Sequence, residues 1–297
     1  MSLVVDRPVR PSIVEPPRRP RRHRPRRPLA WLLWAAVSFF FLNLLGVIAS
    51  VVVDSFGEQW FDTWLPLRWT MHWYTDAWDE FALLHVLGVT AEVALTVVVV
   101  SVVLGLPAAY ALARRTFPGK RLVLLLFVLP ILVPPITYGI PLATVLYKFH
   151  LAGSLSGVIL ANLVPSVPFV VLTMTPFIEQ IDPKIEAAAR MCGAKTLSVF
   201  TRILGPLLLS GILASAILVL VRTVGMFELT FLTAGPTSTT LVVALYDAVF
   251  SAGIRANQSV DAMATIYTAS MLVLLVVALR FVNPTQLVTR VREDAEQ

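Results

Sequence analysis

The chain has 297 residues, of which 57% are hydrophobic and only 14% are charged, with a formal net charge of +6. Soluble domains carry about 25% charged residues, so this composition excludes an ordinary soluble protein and predicts a membrane protein. The single cysteine excludes an internal disulfide and a cysteine-based metal site.

The N-terminus combines a polar tail with the first apolar run. Residues 1–28 are rich in arginine and proline and too poor in apolar residues to bury a core, which predicts a disordered tail that is either solvated or touches membrane lipid. The run 29–53 is longer than the apolar part of a signal peptide and lacks a small-residue cleavage site. We therefore expect it to remain as the first transmembrane helix.

The rest of the chain alternates between polar and apolar stretches. Residues 54–85 mix tryptophan with acidic residues, which is typical of a membrane–water interface. An apolar piece within 233–259 is too short to cross a membrane and is expected to be re-entrant or interfacial. The predicted fold is all-α with six transmembrane helices, a core over 86–283 and a polar tail over 284–297; spans two to six are expected at about 86–112, 122–147, 157–177, 207–232 and 260–282.

Charge asymmetry predicts the orientation. The N-terminal tail, the loop 114–121, the hairpin 181–206 and the C-terminal tail together carry twenty Lys and Arg, against three in the alternate loops. Because positive loops stay in the cytoplasm, we expect both termini and the hairpin to be cytoplasmic. Basic residues placed in this way orient a membrane protein and do not predict a nucleic-acid partner.

Three ionisable residues, Glu92, Arg222 and Glu228, fall within predicted spans, where a charge is costly and usually faces a cavity or a partner. We expect Glu92 and Arg222 to pair with opposite charges between helices. For Glu228, a place on a solute pathway and a place at the outer boundary are both open.

Prolines interrupt the third and fourth predicted spans and free backbone carbonyls that neighbouring groups or water must satisfy. Broken helices are common at transport sites, although proline also produces simple kinks. We predict that Pro134, Pro135 and Tyr138 line a solute pathway with Glu228.

The segment 181–206 is the one polar interval in the second half of the chain. Asp182 is expected to cap a helix that begins at Pro183, with Ile185, Ala188, Ala189 and Cys192 on its apolar face. Gly193 permits a break, after which Thr196 is expected to cap a second turn that ends at Gly205–Pro206. An amphipathic loop on the membrane surface and a helix inserted into a groove of another protein are both compatible with this pattern.

The sequence contains no phosphate-binding GxxxxGK[ST] loop, no HExxH and no GxSxG. A catalytic set, a metal site and a cofactor site are therefore not predicted. A membrane-embedded enzyme, an ion-coupled secondary transporter and a purely structural membrane subunit remain weaker alternatives, because the first needs a catalytic set and the second needs coupling-ion residues and usually inverted repeats.

The hairpin resembles the signature loop of permease subunits in binding-protein-dependent ABC importers of type I, which reads Glu-Ala-Ala, three residues, Gly, nine residues, Ile-x-Leu-Pro. When the pattern is aligned on Gly193, this sequence departs from it at two positions. The Glu of the pattern falls on Ala187, one residue after Glu186, and the Leu of the pattern falls on Gly205. The stretch 104–121 resembles the end of the second span and its loop in these permeases. The stretches 129–135 and 235–249 resemble the subgroup that serves polyamine and ferric-ion importers. The positions that correspond to the ATPase-coupling loop are Glu186, Ala188, Ala189, Gly193, Ala194, Ile203 and Pro206.

The resemblance implies a multi-pass permease of the bacterial inner membrane that is not itself an ATPase. Its expected partners are two copies of a cytoplasmic ATP-binding subunit, a second permease that is usually a paralogue, and an extracytoplasmic solute-binding protein. A polyamine is the favoured solute, with sugar and ferric ion as alternatives.

Overall fold

The computed structural model describes residues 27–58, 65–250 and 256–281. The predicted tails, and parts of the tryptophan-rich segment and of the 233–259 piece, lie outside these residues. The helices, in chain order, are α1 (Arg27–Asp54), α2 (His72–Glu80), α3 (Leu83–Arg114), α4 (Lys120–Leu132), α5 (Pro135–Lys148), α6 (Leu155–Glu179), α7 (Pro183–Met191), α8 (Thr196–Val199), α9 (Gly205–Val224), α10 (Phe227–Thr233), α11 (Leu241–Phe250) and α12 (Asn257–Phe281).

Five helices of the described part are long and apolar enough to cross a membrane, and the bent pair of α4 and α5 makes a sixth if it counts as one span. This confirms the all-α fold with six spans that was predicted from hydropathy. The five are Ala30–Asp54, Leu83–Arg114, Leu155–Glu179, Thr196–Val224 and Asn257–Val277.

The chain divides into two compact units, 1–48 and 49–297. In the first unit, α1 exposes apolar side chains on all its faces, such as Trp31 and Phe39, as expected of a helix in lipid. In the second unit, the main core lies where α3, α6 and α9 pack together around Val97, Val170 and Met174.

A close approach of two backbones holds this core together. A Cβ atom added at Gly105 of α3 would lie 2.7 Å from Cγ1 of Val170 in α6. Glycine at this position therefore lets α3 and α6 pack at short range, as small residues do between membrane helices.

The third predicted span is broken. α4 and α5 meet at an angle of 99° across Val133 and Pro134, because two consecutive prolines lack N–H donors and force the preceding residues into extended backbone. By contrast, α6 continues through Pro165, Pro168 and Pro176 without a break.

The fifth span differs from its prediction at both ends. It ends at Val224, before a break at Gly225 and Met226, instead of reaching Leu232. It also begins earlier, since α8 continues through a π-helical turn, Phe200–Leu204, directly into α9. Gly205–Pro206 therefore does not end the hairpin. The π turn precedes Pro206, and the helix continues through this proline although it lacks an N–H donor.

The short helix α11 contains 10 residues and is about 15 Å long, half of what a span needs. Its buried residues Leu241 and Ala248 pack with Met263 of α12 in a second apolar cluster. A segment too short to cross the membrane was predicted here.

Replacement of Gly105 by alanine is expected to destabilise the protein by about 1–3 kcal/mol, because the new methyl group overlaps Val170 at its Cβ and Cγ1 atoms. Gly88→Ala is the matched control in the same helix, since a Cβ atom there meets nothing within 4 Å. Thermal unfolding in detergent checks both variants. Equal midpoints for the two would contradict the close approach of α3 and α6.

Candidate functional site

The first half of the hairpin is built as its sequence predicts. Asp182 caps α7 by accepting a hydrogen bond from the Lys184 backbone N–H at 2.9 Å, and Pro183 occupies the first turn. This confirms the predicted cap. Thr196, in contrast, is the first residue of α8 and not its cap, a position taken by Lys195 without a side-chain hydrogen bond.

Gly193 closes the turn between the two helices. Its φ of +83° lies in the left-handed region that favours glycine. The turn is fixed by two backbone hydrogen bonds, from Gly193 N–H to the Arg190 carbonyl at 3.0 Å and from Ala194 N–H to the Ala189 carbonyl at 3.1 Å. The predicted break at this glycine is therefore a tight, hydrogen-bonded turn.

The most buried residue of α7 is a carboxylate. Glu186 is 5% exposed, and both of its oxygens are paired with the end of α3. The Arg114 guanidinium donates from Nε to Oε1 at 2.8 Å, and the Tyr110 hydroxyl donates to Oε2 at 2.6 Å. Because a buried carboxylate is stable only when it is fully paired, these two partners fix which face of α7 turns inwards.

Arg114 connects α3 to the hairpin at a second point. The Nη2 atom of Arg114 donates a hydrogen bond to the backbone carbonyl of Ile181 at 2.7 Å. Arg190 adds a weaker, more exposed contact, 3.2 Å from the Tyr110 hydroxyl and 3.7 Å from Glu186. We call Tyr110, Arg114 and Glu186 the hairpin clamp; it joins α3 to the start of the hairpin and to its first helix.

Glu186 faces the core together with Val199 and Leu204, whereas three other large apolar side chains of the hairpin face outwards. Ile185 is 44% exposed, Met191 84% and Leu197 74%. Of the predicted apolar face, Ala188 and Cys192 are also exposed, and only Ala189 packs against the core. An exposed apolar surface beside tight polar anchoring is typical of a contact site for another protein.

The other residues predicted for the coupling loop differ in their exposure. Ala194 is half-buried against the core, Ile203 is half-buried in the π turn, and Pro206 is exposed in the first turn of α9. Sequence reasoning missed Tyr110 and Arg114. Their i, i+4 spacing places both on one face at the end of α3, but which acid they meet depends on the fold.

The predicted solute-pathway residues lie on α5 and α10, which pack against each other. Pro134 and Pro135 form the bend. Tyr138 packs beside Met226 and Leu229, while its hydroxyl is buried without a hydrogen-bond partner. Glu228 is half-buried in the first turn of α10. The structure therefore brings Tyr138 and Glu228 into one region.

The expected ion pairs of the intramembrane charges are not found within the described residues. Glu92 is exposed on α3, and no described acidic side chain approaches Arg222 within 4 Å. The guanidinium of Arg222 instead lies over the ring of Phe169, 5.8 Å from its centroid. Across 27–58, 65–250 and 256–281, no three His, Cys, Asp or Glu side chains form a group that could hold a metal ion.

Comparison with known proteins matches residues 101–286 to a family described as the binding-protein-dependent transport system inner membrane component. The molybdenum transport system permease protein ModB of Haemophilus influenzae is 32% identical over 56% of this chain and 80% of its own length. A probable molybdenum ABC transporter permease of Haloferax volcanii is 35% identical over 46% of this chain. The trehalose transport system permease SugB of Mycobacterium tuberculosis is 34% identical over 47%.

The chain spans about half the length of several curated relatives that it matches, including 53% of the Haloferax protein and 50% of the trehalose permease. Among solved structures, a bacterial ABC transporter involved in import of the acidic polysaccharide alginate matches 86% of this chain and 96% of its own, with a TM-score of 0.70 at 16% identity. That likeness shows the fold, which is that of a type I importer permease.

The clamp predicts a strong energetic coupling between α3 and the hairpin. Glu186→Gln and Arg114→Met are each expected to lower the free energy of unfolding by about 3 kcal/mol, since each leaves a buried charge unpaired. The double variant is expected to lose clearly less than the sum of the two losses. Denaturant titration in detergent measures this cycle.

The exposed pair Glu58 and Arg68, 3.6 Å apart with side chains 42% and 72% exposed, is the matched control. Its cycle is expected to give a coupling of about 0–1 kcal/mol. A coupling between Glu186 and Arg114 no larger than this would contradict the clamp.

Proposed function

The chain belongs to the family of binding-protein-dependent transport system inner membrane components, and we propose that it carries a small solute, delivered by an extracytoplasmic binding protein, into the cytoplasm. Its proposed partners are a second permease, which is a paralogue of this chain, and two copies of a cytoplasmic ATP-binding subunit. ATP hydrolysis belongs to that subunit. The observation that carries this proposal is the hairpin, an anchored loop that exposes the apolar side chains of Ile185, Met191 and Leu197.

In this mechanism the hairpin is the element that the ATPase moves. Ile185, Met191 and Leu197 form the contact surface, and Gly193 keeps the two short helices folded together. Glu186 serves this contact indirectly, because its carboxylate is used inside the chain by Arg114 and Tyr110. Closure of the ATPases then favours one of two conformations of the helices by differential binding.

The proposed orientation places the hairpin and both termini in the cytoplasm, following the distribution of Lys and Arg. The solute is proposed to cross near the bend at Pro134 and Pro135, beside Tyr138 and Glu228. Irregular backbone at membrane depth is tolerated where it is buried in protein or lines a water-filled cavity, and this rule supports a solute pathway at the bend.

The acidic residues of the chain and the names of its relatives favour different solutes. Glu228 and the acidic segment 54–85 favour a cation such as a polyamine. The relatives cited above are named for molybdenum and trehalose, and another, from Synechocystis, is the sulfate permease CysW, 32% identical over 48% of this chain. These names favour an anion or a sugar over a polyamine.

Reconstitution tests the transport function. Proteoliposomes that contain the chain, its second permease, the binding protein and the ATPase are expected to accumulate solute only with ATP inside the compartment that holds the ATPase. Omission of the ATPase subunit is the control. Uptake that persists without any ATPase would contradict the proposal and favour a secondary transporter.

Gly193→Glu is expected to abolish co-purification of the ATPase while membrane insertion stays normal, because the variant strains the left-handed turn and adds a charge to an apolar contact surface. Gly153→Glu is the matched control. Its φ of +81° and open surroundings are the same, but it lies beside the opposite end of α6. ATPase recovered with the Gly193 variant at normal yield would refute the coupling role.

A further inference from the structure

Arg222 lies at mid-depth of the protein. Its guanidinium covers Phe169, which lies 14 residues after the start of α6 at Leu155 and 10 residues before its end at Glu179. At about 1.5 Å per residue, the cation is roughly 21 Å and 15 Å from the two ends of that span. A charge at this depth costs several kcal/mol unless it faces water, a partner or a solute.

The surroundings of Arg222 leave its hydrogen-bonding capacity unused. Within the described part of the chain it makes no ion pair and no hydrogen bond, and its guanidinium carbon lies over the ring of Phe169. The edge of the guanidinium, with five N–H donors in a planar fork, therefore remains free. Structural use of Arg222 as one half of an interhelical ion pair does not fit this geometry.

A second unsatisfied donor lies close by. The Tyr138 hydroxyl is buried without a hydrogen-bond partner, and Tyr138 packs beside Met226 and Leu229, which follow Arg222 by four residues and Glu228 by one. A buried hydroxyl without a partner costs about 1–3 kcal/mol, which is unfavourable unless a bound group satisfies it at some stage of the transport cycle. Tyr138 also lies three residues after Pro135, next to the bend in the proposed pathway.

From these contacts we infer that Arg222 and Tyr138 form a binding site for the anionic group of the transported solute, an oxyanion such as sulfate. This inference rests on the proposed function. The planar guanidinium suits two oxygens of such a group at once, and the tyrosine hydroxyl donates to a further oxygen.

Glu228 then has a role that differs from cation binding. A solute must bind well enough to enter and weakly enough to leave. An arginine in a region of low dielectric constant would hold an anion tightly, and a carboxylate near the same hydroxyl weakens that attraction. Glu228 therefore promotes release of the anion.

The sign of the effect at Glu228 separates the two solute classes. In an anion site, Glu228→Gln removes a repulsion and lowers the KM for the anion. In a cation site, the same change removes the main attraction and abolishes uptake. In an anion site, Arg222→Gln removes the main attraction. It is expected to lower anion uptake by roughly 10–100-fold, which corresponds to the loss of a hydrogen bond to a charged group.

The test uses the complete transporter in proteoliposomes, with radiolabelled sulfate, molybdate, trehalose and putrescine as probes. ATP-dependent uptake of sulfate or molybdate is expected, with a severe loss in Arg222→Gln, a partial recovery in Arg222→Lys and a lower KM in Glu228→Gln. Uptake of trehalose or putrescine without either anion, or of no probe at all, would overturn the anion site. So would full anion uptake by Arg222→Gln.

Tyr138→Phe tests whether a loss of anion uptake comes from the missing hydroxyl and not from misfolding. It removes a buried hydroxyl without a partner, so its thermal stability is expected to stay equal or rise, while anion uptake falls several-fold. Ser101→Ala is the matched control: it also removes a buried unpartnered hydroxyl, in the helix core of α3, and is expected to leave uptake unchanged. Equal uptake by both variants would overturn the role of Tyr138.

Stimulation of the ATPase by the binding protein distinguishes a failure of the anion site from a failure of the proposed transport function. If stimulation occurs and neither anion is carried, the proposed function stands and the anion site falls. If neither stimulation nor ATP-dependent uptake occurs with a complete, co-purifying complex, the proposed function itself falls.

Discussion

The burial of one carboxylate determines how the hairpin is presented. Glu186 is the most buried residue of α7, and it is stable there because Tyr110 and Arg114 satisfy both of its oxygens. A buried pair of this kind adds little net stability compared with an apolar contact, but breaking it is costly, so it selects one orientation of the helix over others. That orientation exposes Ile185, Met191 and Leu197.

Two local features of the hairpin and the existence of the long apolar spans were predictable from sequence. The cap at Asp182 and the turn at Gly193 follow from short-range chemistry, and long apolar runs follow from the thickness of the bilayer. The inward direction of Glu186 was not predictable, because an apolar residue such as Ile185 is the expected choice for burial. Only the packing of α7 against the end of α3 supplies the arginine and tyrosine that reverse this choice.

The prolines show the same limit. Seven prolines lie in the third and fourth predicted spans with similar local effects, yet the chain breaks at Pro134 and remains helical at Pro165, Pro168 and Pro176. Two adjacent prolines remove two successive N–H donors, whereas the isolated prolines of α6 lie in a helix that is packed on both α3 and α9. Tertiary packing decides which proline bends a helix, and it also left Arg222 beside Phe169 instead of an acid.

The continuous helix from Thr196 to Val224 connects the two regions to which we assign functions. Leu197 of the hairpin surface lies near its start, and Arg222 lies near its end, 25 residues or roughly 38 Å further along. In the proposed mechanism, a displacement of the hairpin by the ATPase is carried along this one helix to the guanidinium of Arg222. The π turn at Phe200–Leu204 is the point where this helix departs from regular geometry, and π turns are frequent at functional sites. In the proposed mechanism, the stiffness of the helix on either side of this turn couples ATPase contact to the position of the anion-binding group.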